Sequence, residues 1–149
     1  MNYNFFMEIA YKQAILALLN DEVPIGCVIV KDEQIIGSGY NSRNGSKNAL
    51  AHAEIIAINQ ACNTTGDWRL EGCTLFVTIE PCPMCAGAIL QARVSNVVFG
   101  ARNKKAGCAG SIVNLLNHPG FNHTVNITEG ISEARCASLM QTYFKILRA

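Results

Sequence analysis

An imidazole, two thiols and a carboxylate stand in two short segments of the chain. His52 and Glu54 lie in Ala51-His52-Ala53-Glu54, and Cys82 and Cys85 in Glu80-Pro81-Cys82-Pro83-Met84-Cys85. One neutral imidazole and two thiolates make a Cys₂His ligand set for Zn²⁺, with a fourth position left for water. Three protein ligands plus water is the catalytic pattern, whereas a structural zinc site takes four protein ligands. Zinc lowers the pKa of its water towards ~7, and a carboxylate that does not ligate can pass the released proton to a leaving group. Glu54 is the carboxylate spaced for that work. Cys-x-x-Cys alone reads as core packing or redox chemistry in about half of cases, and His-x-Glu alone as incidental. Their combination points to a hydrolytic metal centre.

That chemistry makes a demand on the elements. Residues two apart on a helix point about 200° apart, so His52 and Glu54 can serve one water only at a first turn, where the chain end faces the site. Pro83 suits the first turn of a second helix, which places Cys82 and Cys85 on one side and turns the positive end of the helix dipole towards the thiolates. The sequence meets this demand. Ala49 to Cys62 and Pro83 to Ala92 have helical character, and each follows a strand-like segment or a loop.

The remaining elements alternate in the same way. Phe6, Ile9, Ala10, Ala14, Ala17 and Leu18 form a stripe at helical spacing before Pro24. Ile25 to Val30 and Ile35 to Ser38 flank the polar turn Lys31-Asp32-Glu33-Gln34 and predict a hairpin. Asn41 to Asn48 reads as a loop, Thr74 to Thr78, Val94 to Phe99 and Val125 to Ile127 as strands, and the segment from Ser132 as a helix with Cys136, Leu139, Met140, Tyr143 and Leu147 on one side. Gly100 to Asn122 reads as a long loop, and loops of that length in a compact domain usually carry function. The pattern predicts one α/β domain over residues 1–149, a three-layer α/β/α sandwich with a mixed sheet of about five strands, opened by an antiparallel hairpin. Cys27, Cys62, Cys73, Cys108 and Cys136 read as small core residues, as do the rings of Phe5 and Phe6. His118 and His123 belong to the long loop and not to the metal.

Composition limits the alternatives. The chain has 149 residues, half of them hydrophobic, with a formal net charge of +1, the mixture of one globular domain. Its apolar runs fall short of the ~20 residues that span a bilayer, so no membrane partner is expected. Seven cysteines are an odd number, scattered through a well-filled chain, which fits a reducing cytoplasm better than a disulfide framework. Charge is unevenly distributed: between Glu80 and Glu129 there is no acidic side chain, yet Arg93, Arg102, Lys104 and Lys105 all lie there. Such a segment attracts anions, nucleic acid among them, although a solvated face would have the same composition.

The His-Ala-Glu and Pro-Cys-x-x-Cys segments resemble the zinc-dependent nucleobase deaminases. That signature alone does not separate free cytidine, cytidylate, guanine or RNA adenine as substrate. The flanking residues are more specific. Val23-Pro24-Ile25-Gly26, Tyr40-Asn41, Thr78 to Ala88, Phe99-Gly100-Ala101-Arg102, Gly107 to Ser111 and Asn117 to His123 together resemble the bacterial tRNA-specific adenosine deaminases over nearly the whole chain. The resemblance implies a homodimer that converts the wobble adenosine of a tRNA anticodon stem-loop, typically of an arginine tRNA, to inosine. It implies one Zn²⁺ per subunit held by His52, Cys82 and Cys85, Glu54 as proton shuttle, and Asn41 and Ala53 at the target nucleotide. Arg102, Asn103, Lys104 and Lys105 are then expected to meet RNA. Two departures stand out: Asn103 replaces the usual Asp, which removes a negative charge near the RNA path and is expected to loosen discrimination, and the chain stops at Ala149 without a longer basic tail. Rival readings are a deaminase of free bases or nucleosides, and a zinc-stabilised RNA-binding module without catalysis.

Overall fold

The computed structural model describes residues 1–149. In chain order the elements are α1 (Tyr3–Leu19), β1 (Gly26–Lys31), β2 (Gln34–Tyr40), α2 (Arg43–Ser46), α3 (Ala53–Thr65), β3 (Thr74–Ile79), α4 (Pro83–Gln91), β4 (Asn96–Ala101), β5 (Asn126–Glu129) and α5 (Glu133–Arg148). The strands form one five-stranded sheet in the order β2-β1-β3-β4-β5. β1 pairs antiparallel with both β2 and β3, while β3–β4 and β4–β5 are parallel. The sheet is therefore mixed, with the hairpin at one edge, as the alternating pattern predicts.

Side chains of successive strand residues leave opposite faces, and both faces are covered. Cys27, Ile29, Leu75, Val77, Val97 and Phe99 pack against Ala53, Ala57, Ile58 and Ala61 of α3 and Ala86, Ile89 and Leu90 of α4. Val28, Val30, Phe76 and Val98 pack on the other side against Phe6, Met7 and Ala10 of α1 and Cys136 of α5. Burying a large aliphatic or aromatic side chain contributes about 1.5–3 kcal/mol, so these two layers supply the driving force. α1 and β1 approach so closely that a Cβ on Gly26 would lie 2.1 Å from the Ala10 carbonyl oxygen. No helix is long and apolar enough to cross a membrane.

The direction of the strands places the chemistry. β2 and β3 are both antiparallel to β1, and β4 is parallel to β3, so the segments leaving β2, β3 and β4 emerge at one edge of the sheet. α3 and α4 begin there, and the irregular segment that follows β4 begins there too.

Several boundaries differ from expectation. The segment 41–48 contains the one-turn helix α2, and α3 starts at Ala53 rather than Ala49 because residues 48–52 form tight turns, with the His52 N–H bonded to the Leu50 carbonyl, and His52 itself is extended. β4 starts two residues late, because Val94 and Ser95 carry the chain from α4 into the sheet. Phe5 is 55% exposed, not core: α1 turns Phe6 and Met7 to the sheet, and Phe5 rests edge-on against Phe6 at its margin. Leu147 is likewise exposed on the last turn of α5. Cys27, Cys73, Cys108 and Cys136 are buried as expected, and Cys62 is half-buried.

Candidate active site

His52 is the residue just before α3, and Glu54 lies in that helix's first turn; Cys82 is the residue just before α4, and Cys85 lies in its first turn, with Pro83 between them. Both helix N-termini therefore face the same small volume, and their orphan N–H groups favour negative charge there. The His52 ring does not cap its own helix. It turns instead to the thiols, with Nδ1 at 3.6 Å from Cys82 Sγ and 3.5 Å from Cys85 Sγ. The helix cap comes from another element: Asn41, just past β2, accepts a hydrogen bond from the Ala53 N–H at 2.8 Å.

These distances test the site as a metal site. Zinc–sulfur and zinc–nitrogen bonds of about 2.3 and 2.0–2.1 Å in a tetrahedron put nitrogen and sulfur about 3.6 Å apart. Both observed separations match that edge, and the three donor atoms all lie within 4.8 Å of one another. The protonation pattern agrees. Hydrogen bonds from Cys85 and then from His52 hold the Cys82 thiol down at about 4, while Cys85, donating to Cys82 and buried, is pushed far up. A divalent cation would displace the proton between the two sulfurs and take both as thiolates. The donor set fits zinc.

Glu54 is buried beside this cluster. Burial first, with a further push from the Cys82 thiolate, raises its carboxyl to about 7. A carboxyl poised there can both accept and release a proton near neutral pH.

The cluster opens onto a cleft of about 470 Å³ whose walls include Asn41, Arg43, His52, Ile79, Met140 and Phe144, with Arg102, Asn103, Lys104 and Lys105 along its rim. Six of the ten residues singled out from the sequence, Asn41, His52, Arg102, Asn103, Lys104 and Lys105, line this cleft. Cys82, Cys85, Glu54 and Ala53 do not line it; Cys82 and Cys85 meet the His52 ring, and Ala53 is fully buried with its N–H engaged by Asn41. Arg102 is partly committed to an ion pair with Glu129 at 3.0 Å; both side chains are about half exposed, so solvent screens the pair and leaves the guanidinium free to exchange partners. Asn103 turns its side-chain oxygen inward, accepting from the N–H groups of Lys105 at 3.3 Å and Ala106 at 3.1 Å. His118 and His123 stay away from the metal cluster, and His123 Nε2 bonds the Val94 carbonyl at 2.7 Å.

Two buried carboxylates escaped sequence reasoning. Glu22 accepts from the Asn44 and Gly45 N–H groups at 3.1 and 2.8 Å and so holds α2, with Arg43, at the cleft wall. Glu80 accepts from the backbone of Asn103, Ala109 and Ser111 and from the Ser111 hydroxyl. Burial alone would raise the Glu80 carboxyl, but these hydrogen bonds outweigh it and hold the group below the usual glutamate range. The only sequence signal for Glu80 was its place beside Pro81 and Cys82.

A mixed sheet with helix N-termini that converge on a His/Cys/Cys donor set and a buried glutamate defines a zinc-dependent deaminase of the cytidine deaminase-like class. Residues 1–148 match the MafB19-like deaminase family. Over 141 residues, 95% of this chain and 89% of the relative, the sequence is 50% identical to a tRNA-specific adenosine deaminase of Streptococcus pyogenes. It is 46% identical over 143 residues to the Bacillus subtilis tRNA-specific adenosine deaminase, with 96% and 89% covered. The chain belongs to the tRNA-specific adenosine deaminases. A solved structure from work on A-to-I editing by tRNA:A34 deaminases at the wobble position of transfer RNA superimposes with a TM-score of 0.87 at 39% identity, covering 91% of this chain and 98% of that one. A guanine deaminase from Nitrosomonas europaea shares the fold, with a TM-score of 0.80 at 21% identity over 94% of this chain and 83% of that one.

Proposed function

We propose that this chain, as one domain over residues 1–149, hydrolyses the wobble adenosine of a tRNA anticodon stem-loop, that of an arginine tRNA, to inosine and ammonia. The reading rests above all on one observation: the His52, Cys82 and Cys85 donors lie within 4.8 Å of one another with buried Glu54 in the same helix turn, and His52 lines a cleft together with Arg43, Lys104 and Lys105. The two bacterial relatives named above are named for adenosine deamination of tRNA, which supports the substrate class.

His52 Nδ1, Cys82 Sγ and Cys85 Sγ would hold one Zn²⁺ per subunit. When bound, the cation acidifies a water and so supplies the nucleophile for hydrolysis. Glu54 would take one proton from the attacking water to the adenine ring nitrogen and then carry the second, from the new C6 hydroxyl, to the amine, which leaves as ammonia. Asn41 has its side-chain oxygen fixed by Ala53, which leaves its amide group to hold the target nucleotide. The base must leave the anticodon stack to reach this floor, and a loop nucleotide does so at little cost. Arg102, Lys104 and Lys105 draw in the flanking phosphates; neutralising all three should flatten the salt dependence of RNA binding. We read the enzyme as a cytoplasmic homodimer, in which a second copy would cover the exposed Ile112 and Val113 side chains.

The deciding assay offers an anticodon stem-loop with adenosine at the wobble position beside free adenosine, cytidine and guanine, with Glu54→Ala as control. Inosine in the stem-loop alone, absent with the variant, is the expected result. Ammonia from a free base or nucleoside with an untouched stem-loop would overturn the RNA assignment, and activity equal to the parent in Glu54→Ala would overturn the proton-transfer role.

A further inference from the structure

We propose that Glu80 is a positioning residue for the RNA: its buried carboxylate fixes the basic rim segment Arg102–Lys105 in place relative to the metal-ligand turn at Cys82. This rests on the RNA reading above and extends it to a residue that touches neither substrate nor metal.

Glu80 sits at the junction of the two segments. Its N–H bonds the Ala101 carbonyl at 2.9 Å, continuing the β3–β4 pairing by one residue, and two residues later the chain reaches Cys82. Its side chain is 2% exposed and faces the segment that follows β4. Oε1 accepts from the Asn103 N–H at 3.0 Å and from the Ser111 hydroxyl; Oε2 accepts from the Ala109 N–H at 2.9 Å and the Ser111 N–H at 3.0 Å. Each oxygen thus receives two donors, and all four come from residues 103–111. No ion pair involves this carboxylate.

The segment is shaped to close around it. A Cβ at position 107 would lie 2.4 Å from the Glu80 carboxyl carbon, so glycine there lets the backbone reach the carboxylate. The Gly107 N–H closes a turn onto the Asn103 carbonyl at 2.7 Å, and the Cys108 N–H reaches the Pro81 carbonyl at 2.8 Å, beside Cys82. Lys104 and Lys105 ride on that turn between Asn103 and Gly107. They have no carboxylate partner, so their position over the cleft depends on backbone anchoring, which the Glu80 hydrogen bonds supply. Charge-assisted hydrogen bonds are roughly twice as strong as neutral ones. An amide at position 80 would keep one acceptor oxygen and set an NH₂ group against N–H donors.

The test compares the parent, Glu80→Gln and Ser111→Ala, each checked for metal content and thermal melting. Deamination of the anticodon stem-loop is followed with RNA concentration and salt varied. Glu80→Gln is expected to retain its metal and to keep kcat within about twofold, while KM rises about tenfold or more. The slope of log affinity against log salt should fall by about 0.7 for each phosphate that the displaced lysines no longer neutralise. Ser111→Ala, which removes one donor and leaves the carboxylate, should show the same signature at smaller size, and it carries the test if Glu80→Gln does not fold. Unchanged KM and salt slope in a folded variant, or a fall in kcat with metal loss at constant KM, would overturn the inference. A parent that leaves the stem-loop untouched overturns the RNA reading itself, an outcome seen before any variant is compared.

Discussion

The side-chain oxygen of Asn41 accepts a hydrogen bond from the Ala53 N–H at 2.8 Å. Through that bond the end of β2 caps the helix that carries Glu54, and His52 is released from capping to face the two thiols. One asparagine therefore serves the helix with its oxygen and has its amide nitrogen left for a ligand.

The two roles of Asn41 are separable. Asn41→Ala loses both and should be destabilised by about 1 kcal/mol, the usual worth of a cap. Asn41→Asp keeps the acceptor but not the amide donor, so its melting temperature should stay near that of the parent while KM for the stem-loop rises. Equal melting temperatures for the parent and Asn41→Ala would show that the cap contributes nothing.

The cysteines should divide by chemistry. Of the thiols outside the metal cluster, only Cys62 is half-buried and the rest are buried. Burial pushes Cys136 up to about 11, so at pH 8 only about one thiol in a thousand there is ionised and able to react. The metal-loaded protein should give one fast-reacting thiol with an aromatic disulfide reagent. After chelation Cys82 and Cys85 should join it, with loss of deamination. A native protein in which Cys82 or Cys85 already reacts would argue against their binding metal.

Asn103 is open to a conservative test. Its side-chain oxygen closes the turn to Lys105 and Ala106, and a carboxylate can do the same. Asn103→Asp should therefore change stability by less than about 0.5 kcal/mol. It adds a negative charge beside Lys104 and Lys105, which should weaken stem-loop binding most at low salt and narrow the range of substrates. Identical kcat/KM ratios for RNA and DNA stem-loops in parent and variant would sink the proposed effect on discrimination.

Gly26 tests the packing of α1 on the sheet. An added methyl would lie 2.1 Å from the Ala10 carbonyl oxygen and 2.4 Å from the Ala14 nitrogen, both backbone atoms that move only with the helix. Gly26→Ala should cost about 1–3 kcal/mol by overpacking, read as a lower denaturant midpoint. Wild-type stability in that variant would mean that α1 shifts freely on β1.

Local order is written in the residues themselves: apolar spacing set the helices and strands, and the types and offsets of His52, Glu54, Cys82 and Cys85 set the ligand chemistry. These are legible because hydrophobic periodicity and ligand spacing act over a few residues. The tertiary structure alone decided that the ends of β2, β3 and β4 share one edge, which brings His52 within 3.6 Å of Cys82 across 30 residues of chain. It also exposed Phe5, whose fate depends on where α1 touches the sheet and not on its own hydrophobicity. Glu22 and Glu80 were illegible for a related reason. A lone glutamate in a sequence looks solvated, and only the folded chain supplies the backbone donors from residues 22 to 31 positions away that make its burial stable.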